Sequence, residues 1–76
     1  MKRYSLKEFI EVVENADIIY GQISLNAGVR VTARLKKKTL LTSLKSIKKP
    51  SLYQEEIGYY GDFQIDDKGH KILKVP

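Results

Sequence analysis

Two runs of alternating polarity flank a short turn at residues 18–35, IIYGQISLNAGVRVTARL. In the first run Ile19, Gly21, Ile23 and Leu25 share one parity, and Tyr20, Gln22 and Ser24 take the other. In the second, Val29, Val31, Ala33 and Leu35 share one parity, with Arg30, Thr32, Arg34 and Lys36 opposite. Successive side chains of a strand point to opposite faces, so a period of two with one apolar side marks a half-buried strand. Two such strands in tandem make an antiparallel hairpin.

Loop length sets the register. With Asn26-Ala27-Gly28 as a three-residue loop, Leu25 faces Val29, Ile23 faces Val31 and Gly21 faces Ala33. The polar partners become Ser24 with Arg30, Gln22 with Thr32, and Tyr20 with Arg34. A two-residue Ala27-Gly28 turn would pair Leu25 with Arg30 and mix the faces, which is costly where one face is buried. The three-residue loop needs its last residue in the left-handed region, and Gly28 accepts this without strain. Ile19, Ile23, Leu25, Val29, Val31 and Leu35 are then expected in the core. The other face shows Tyr20, Gln22, Ser24, Arg30, Thr32, Arg34 and Lys36. A solvated sheet face would look like this, and so would a contact surface, where arginine and tyrosine are enriched.

Upstream, residues 5–16 read as a helix. Ser5 and Glu8 form an S-x-x-E capping box, and Tyr4 and Phe9 stand where a hydrophobic staple packs. Leu6, Phe9, Ile10, Val13 and Ala16 fall on one helical face, with Glu8 and Glu11 away from it. Downstream, residues 39–47 read as a second helix with Thr39 as N-cap and Leu40, Leu41, Leu44 and Ile47 as its buried stripe. Lys36, Lys37 and Lys38 precede it, against the preference of a helix start for acidic groups. They keep a strand end soluble, or they belong to a binding surface.

Pro50 stops the second helix, and residues 51–56 form a connector with Leu52 or Tyr53 against the core. Residues 57–65 alternate again, and Asp67-Lys68-Gly69 repeats the x-x-Gly turn. That turn sets Phe63 opposite Leu73, Gly61 opposite Val75, Asp62 opposite Lys74 and Asp66 opposite His70. It also places Ile72 on the outer face and Lys71 on the inner one, a mismatch that a bulge or another loop length would repair. Lysines and Pro76 suit the last strand to a sheet edge. The expected fold is a single small α+β domain over residues 1–76, ordered α-β-β-α-β-β. Two helices pack on one face of a four-stranded antiparallel sheet whose strand order is open.

Seventy-six residues bury roughly 60% of the extended-chain surface, enough for one thin core and no deep substrate cavity. No cysteine is present, which excludes disulfides and thiolate metal sites. No apolar segment has the length of a signal-peptide core or a membrane span, so a soluble, cytoplasmic protein without membrane contact is expected. The net charge is +5, but between residues 18 and 54 there are eight basic side chains and no acidic one. A field of one sign favours an anionic partner.

Catalytic chemistry finds no support. His70 beside Asp66 and Asp67 is a poor metal site, no serine carries an activation motif, and no phosphate loop is present. Adjacent carboxylates on a strand point to opposite faces. No catalytic, metal or cofactor site is therefore expected. Two binding readings remain. The first is a small protein that occupies a surface of a macromolecular partner, as an inhibitor or regulator. Small proteins that phages and mobile elements use against host defence systems such as CRISPR share this size and character. Its partner would be a protein or nucleoprotein with an acidic surface. The second is direct DNA or RNA binding, with Tyr20 and Tyr60 stacking bases and basic side chains meeting phosphates. Both use Tyr20, Gln22, Arg30, Thr32, Arg34, Lys36, Lys37, Lys38 and Tyr60. Oligomeric state is left open by the unpaired strand edges.

Overall fold

The computed structural model describes residues 1–48 and 57–76. Its elements run β1 (Lys2–Tyr4), α1 (Leu6–Asn15), β2 (Ile18–Asn26), β3 (Val29–Arg34), α2 (Lys37–Lys45), β4 (Tyr59–Ile65) and β5 (Lys71–Lys74). The connector expected over residues 51–56, with Leu52 and Tyr53, lies outside the described residues.

The first helix forms where its caps require. Ser5 accepts a hydrogen bond from the Glu8 amide at 3.2 Å, and its own amide donates to Glu8 Oε1 at 3.0 Å. These bonds satisfy two of the donors a helix start leaves unpaired. They hold the Glu8 carboxyl below its ordinary value, the Ser5 backbone bond contributing most. The Tyr4 and Phe9 rings lie 6.2 Å apart, and Tyr59 stacks on Phe9 at 5.5 Å. The second helix begins three residues earlier than expected, counted from its N-cap. Lys36, not Thr39, is the N-cap, and it supplies no capping side-chain bond.

The sheet corrects the expected plan. Among the described residues five strands stand in the order β1-β4-β5-β2-β3, and the sheet is mixed, because β2 and β5 run parallel. β1 was not anticipated; it pairs with β4 through Arg3 opposite Tyr60 and Tyr4 opposite Tyr59. β5 is central rather than an edge. Its expected register holds, with Asp62 opposite Lys74 and Phe63 opposite Leu73. No bulge repairs the outward Ile72, because its parallel neighbour Ile18 sits beside it on the same face. Asp17 ties the start of this pairing. Its amide donates to the Lys71 carbonyl at 2.7 Å, and its carboxylate accepts from the Lys71 amide at 2.8 Å.

Tyr4, Phe9, Val13, Ala16, Ile19, Leu44 and Leu73 form the core, with Leu6, Ile10, Leu35, Leu40, Leu41, Ile47 and Tyr59 packed around them. Both helices thus meet the sheet face that carries Ile19 and Leu73. Gly61 lies beneath Phe9, where a Cβ would stand 2.9 Å from Leu73 Cδ1.

Candidate partner-binding surface on the projecting hairpin

The hairpin of β2 and β3 has the expected register from Tyr20–Arg34 to Ser24–Arg30. At its tip the expectation fails. Asn26, not Leu25, pairs with Val29, and a bulge between Ser24 and Asn26 takes up the extra residue. The turn is Ala27-Gly28, with Gly28 at φ +79°. A bulge lets a two-residue turn coexist with segregated faces.

The larger correction concerns burial. Ile23, Leu25 and Val29 share the parity of the buried Ile19, yet they are 40, 59 and 48% exposed. Element lengths explain this. β2 has nine residues, roughly 30 Å at 3.3 Å each. α1 has ten, roughly 15 Å at 1.5 Å each. The helices cover the base of the hairpin and stop. The radius of gyration, 13.0 Å, exceeds the roughly 11 Å of a compact chain this long, as a projecting hairpin requires. The mismatch of strand and helix lengths is legible in the sequence, but which part of β2 the helices cover is not.

The opposite face of the sheet carries most of the anticipated site. Register places Asp62, Lys74, Tyr20 and Arg34 in one row across four strands. Gln22 and Thr32 form the next row, then Ser24 and Arg30. Tyr20, Gln22, Arg30 and Thr32 line a shallow depression of about 400 Å³ with Met1, Lys74, Val75 and Pro76. Tyr60 lies on this side too, 39% exposed, but β5 separates its strand from that of Tyr20.

The three lysines make different contacts. Lys37 Nζ donates to the carbonyls of Glu14 and Ala16, closing the C-terminal end of α1. Positive charge suits that end of a helix. A second lysine reaches the same helix, with Lys45 Nζ 3.8 Å from Glu14. Lys36 and Lys38 are exposed and stand at the base of the hairpin. The KKK run thus divides into one structural lysine and two surface ones.

The turn between β4 and β5 uses Asp66 locally. Its Oδ1 accepts from the amides of Lys68 and His70, at 2.9 and 2.8 Å, and His70 Nδ1 lies 3.3 Å from Oδ2. These bonds, the His70 amide first, hold the Asp66 carboxyl below its ordinary value. Among the described residues no three metal-capable side chains converge, and no helix is long and apolar enough to cross a membrane.

No family model matches the chain, and neither a curated protein nor a solved structure shows significant similarity to it.

Proposed function

We propose that this chain is a non-catalytic binding protein that occupies a surface of a macromolecular partner, as an inhibitor or regulator, and engages it through the β2–β3 hairpin. The observation that carries this reading is the projection of the hairpin beyond the helices. Its tip offers Ile23, Leu25 and Val29 on one face, and the other face carries Arg30, Thr32 and Arg34 from tip to base. Apolar contacts supply affinity, and the arginines supply steering and specificity. A protein or nucleoprotein with an acidic surface fits that chemistry.

Direct DNA or RNA binding draws on the same arginines but has weaker support. Lys37 is occupied by the end of α1, and Tyr20 and Tyr60 are not on neighbouring strands.

The test is affinity capture from nuclease-treated lysate, using the parent chain and Arg30→Glu/Arg34→Glu side by side. The expected result is a protein retained in stoichiometric amount by the parent and lost by the variant. Retention by both chains, or by neither, overturns the reading. A gel shift with duplex and single-stranded oligonucleotides at low salt, weakening steeply as salt rises, would assign the surface to nucleic acid instead.

A further inference from the structure

β3 ends the sheet, and its outer edge has no strand partner among the described residues. In an antiparallel pair, alternate residues bond to the partner strand and the others point away. Here the phase is fixed. The Leu35 amide donates to the Ile19 carbonyl at 2.8 Å, in register with Tyr20 opposite Arg34. Gly21–Ala33 and Ile23–Val31 therefore continue the bonded pairs. An independent bond agrees, since the Tyr20 carbonyl turns toward β5 and accepts from the Val75 amide at 2.8 Å. It follows that the amides and carbonyls of Arg30, Thr32 and Arg34 face the open edge.

The residues that present free backbone groups are thus the ones whose side chains form the basic face. We propose that the β3 edge accepts an extended strand, antiparallel to β3, from a protein partner. The strand would carry acidic residues opposite Arg30 and Arg34, a small or hydroxylic residue opposite Thr32, and apolar residues opposite Val31 and Ala33. This deepens the binding reading above and rests on it.

Charge selects the occupant. Neither Arg30 nor Arg34 has an ion-pair partner among the described residues. A second copy pairing antiparallel about Thr32 would set Arg30 against Arg34 twice, and like charges directly opposite destabilise a sheet. The other end of the sheet, β1, carries Lys2 and Arg3, so joining edges head to tail meets the same repulsion. Charged edges protect a sheet against self-association. An acidic strand turns the same two contacts attractive. Its apolar side would extend the uncovered surface of Ile23 and Val29, adding buried area to the backbone bonds that strand addition provides.

The test titrates the peptide Ser-Glu-Val-Thr-Val-Glu-Ser, acetylated and amidated, into ¹⁵N-labelled domain. The expected result is amide shift changes concentrated at Arg30, Thr32 and Arg34. Replacing both glutamates by lysine should weaken binding about tenfold or more, since two cross-strand pairs turn repulsive. Arg30→Glu/Arg34→Glu should reverse that preference. N-methylation of the peptide's threonine keeps every charge and removes the central backbone donor, and it should abolish binding. Thr32→Pro should do the same from the protein side, because the Thr32 amide faces away from β2 and a proline there leaves the hairpin ladder intact. Absence of shifts along β3 overturns the proposal, as does binding that survives N-methylation, which would be charge attraction alone. A single-stranded oligonucleotide that shifts the same amides, undiminished in Thr32→Pro, would assign the edge to nucleic acid and also overturn it. A partner captured by both the parent and folded Thr32→Pro, but lost by Arg30→Glu/Arg34→Glu, refutes strand addition and leaves the broader binding reading standing.

Discussion

Ile19 and Ile23 are the same residue type on the same strand and the same parity, yet the structure assigns them opposite roles. Ile19 is 1% exposed and Ile23 is 40% exposed. Truncating each to alanine separates burial from pattern. At Ile19 the lost side chain leaves a cavity in the core, and the cost is about 4 kcal/mol, within the range for buried isoleucines. At Ile23 about three fifths of the surface is covered, and water fills the space left behind. Only the transfer part is lost, about three fifths of roughly 2 kcal/mol, or about 1 kcal/mol. A chain of this length has a total stability of roughly 4–11 kcal/mol, so Ile19→Ala stands close to unfolding. Ile19→Val, at about 1 kcal/mol, gives a folded comparison with Ile23→Val, which should cost under about 0.5 kcal/mol. Urea unfolding followed by far-UV circular dichroism reads all four variants against the parent. Equal losses at the two positions, or more than about 2 kcal/mol at Ile23→Ala, would show that the tip is buried and that the projecting hairpin is wrong.

Three further outcomes are expected. Lys37→Ala should destabilise the fold by about 1–2 kcal/mol through two lost charge-assisted bonds to the end of α1, while Lys36→Ala and Lys38→Ala leave the unfolding midpoint unchanged. Tyr59→Phe should be neutral or stabilising by up to about 1 kcal/mol, because the Tyr59 hydroxyl is buried with no hydrogen-bond partner among the described residues; a clear loss would reveal an unrecognised partner. Glu8 has its carboxyl lowered by the capping box, so its contribution is complete above the ordinary glutamate range and is lost as pH falls through the lower folded value. Stability measured from neutral pH into acid should fall less steeply in Glu8→Gln than in the parent, and parallel curves would refute that assignment.

Where a feature is encoded within a few residues, it was legible in the sequence. The capping box of Ser5 and Glu8 is a four-residue pattern, and it forms as read. The same holds for the apolar faces of both helices and for the hairpin register from Tyr20–Arg34 to Ser24–Arg30. The polar surface of Tyr20, Gln22, Arg30 and Thr32 followed from that register and does line a common depression. The N-cap at Lys36 was missed because Thr39 has the better capping chemistry, and the helix began earlier without it. β1 was missed because three residues are too few to show a period.

What the sequence by itself determined was local: the two helices and the strands long enough to show a period, which sides of them are apolar, and how each hairpin aligns away from its tip. The tertiary structure decided how those pieces meet. A strand edge can pair with any other edge whose faces match, so alternation within β5 could not say that its neighbour would be β2 in parallel. Nor could alternation say how far the apolar side of β2 would be covered. The helices rise half as far per residue as the strands, so the same pattern that buries Ile19 leaves Ile23, Leu25 and Val29 open to solvent.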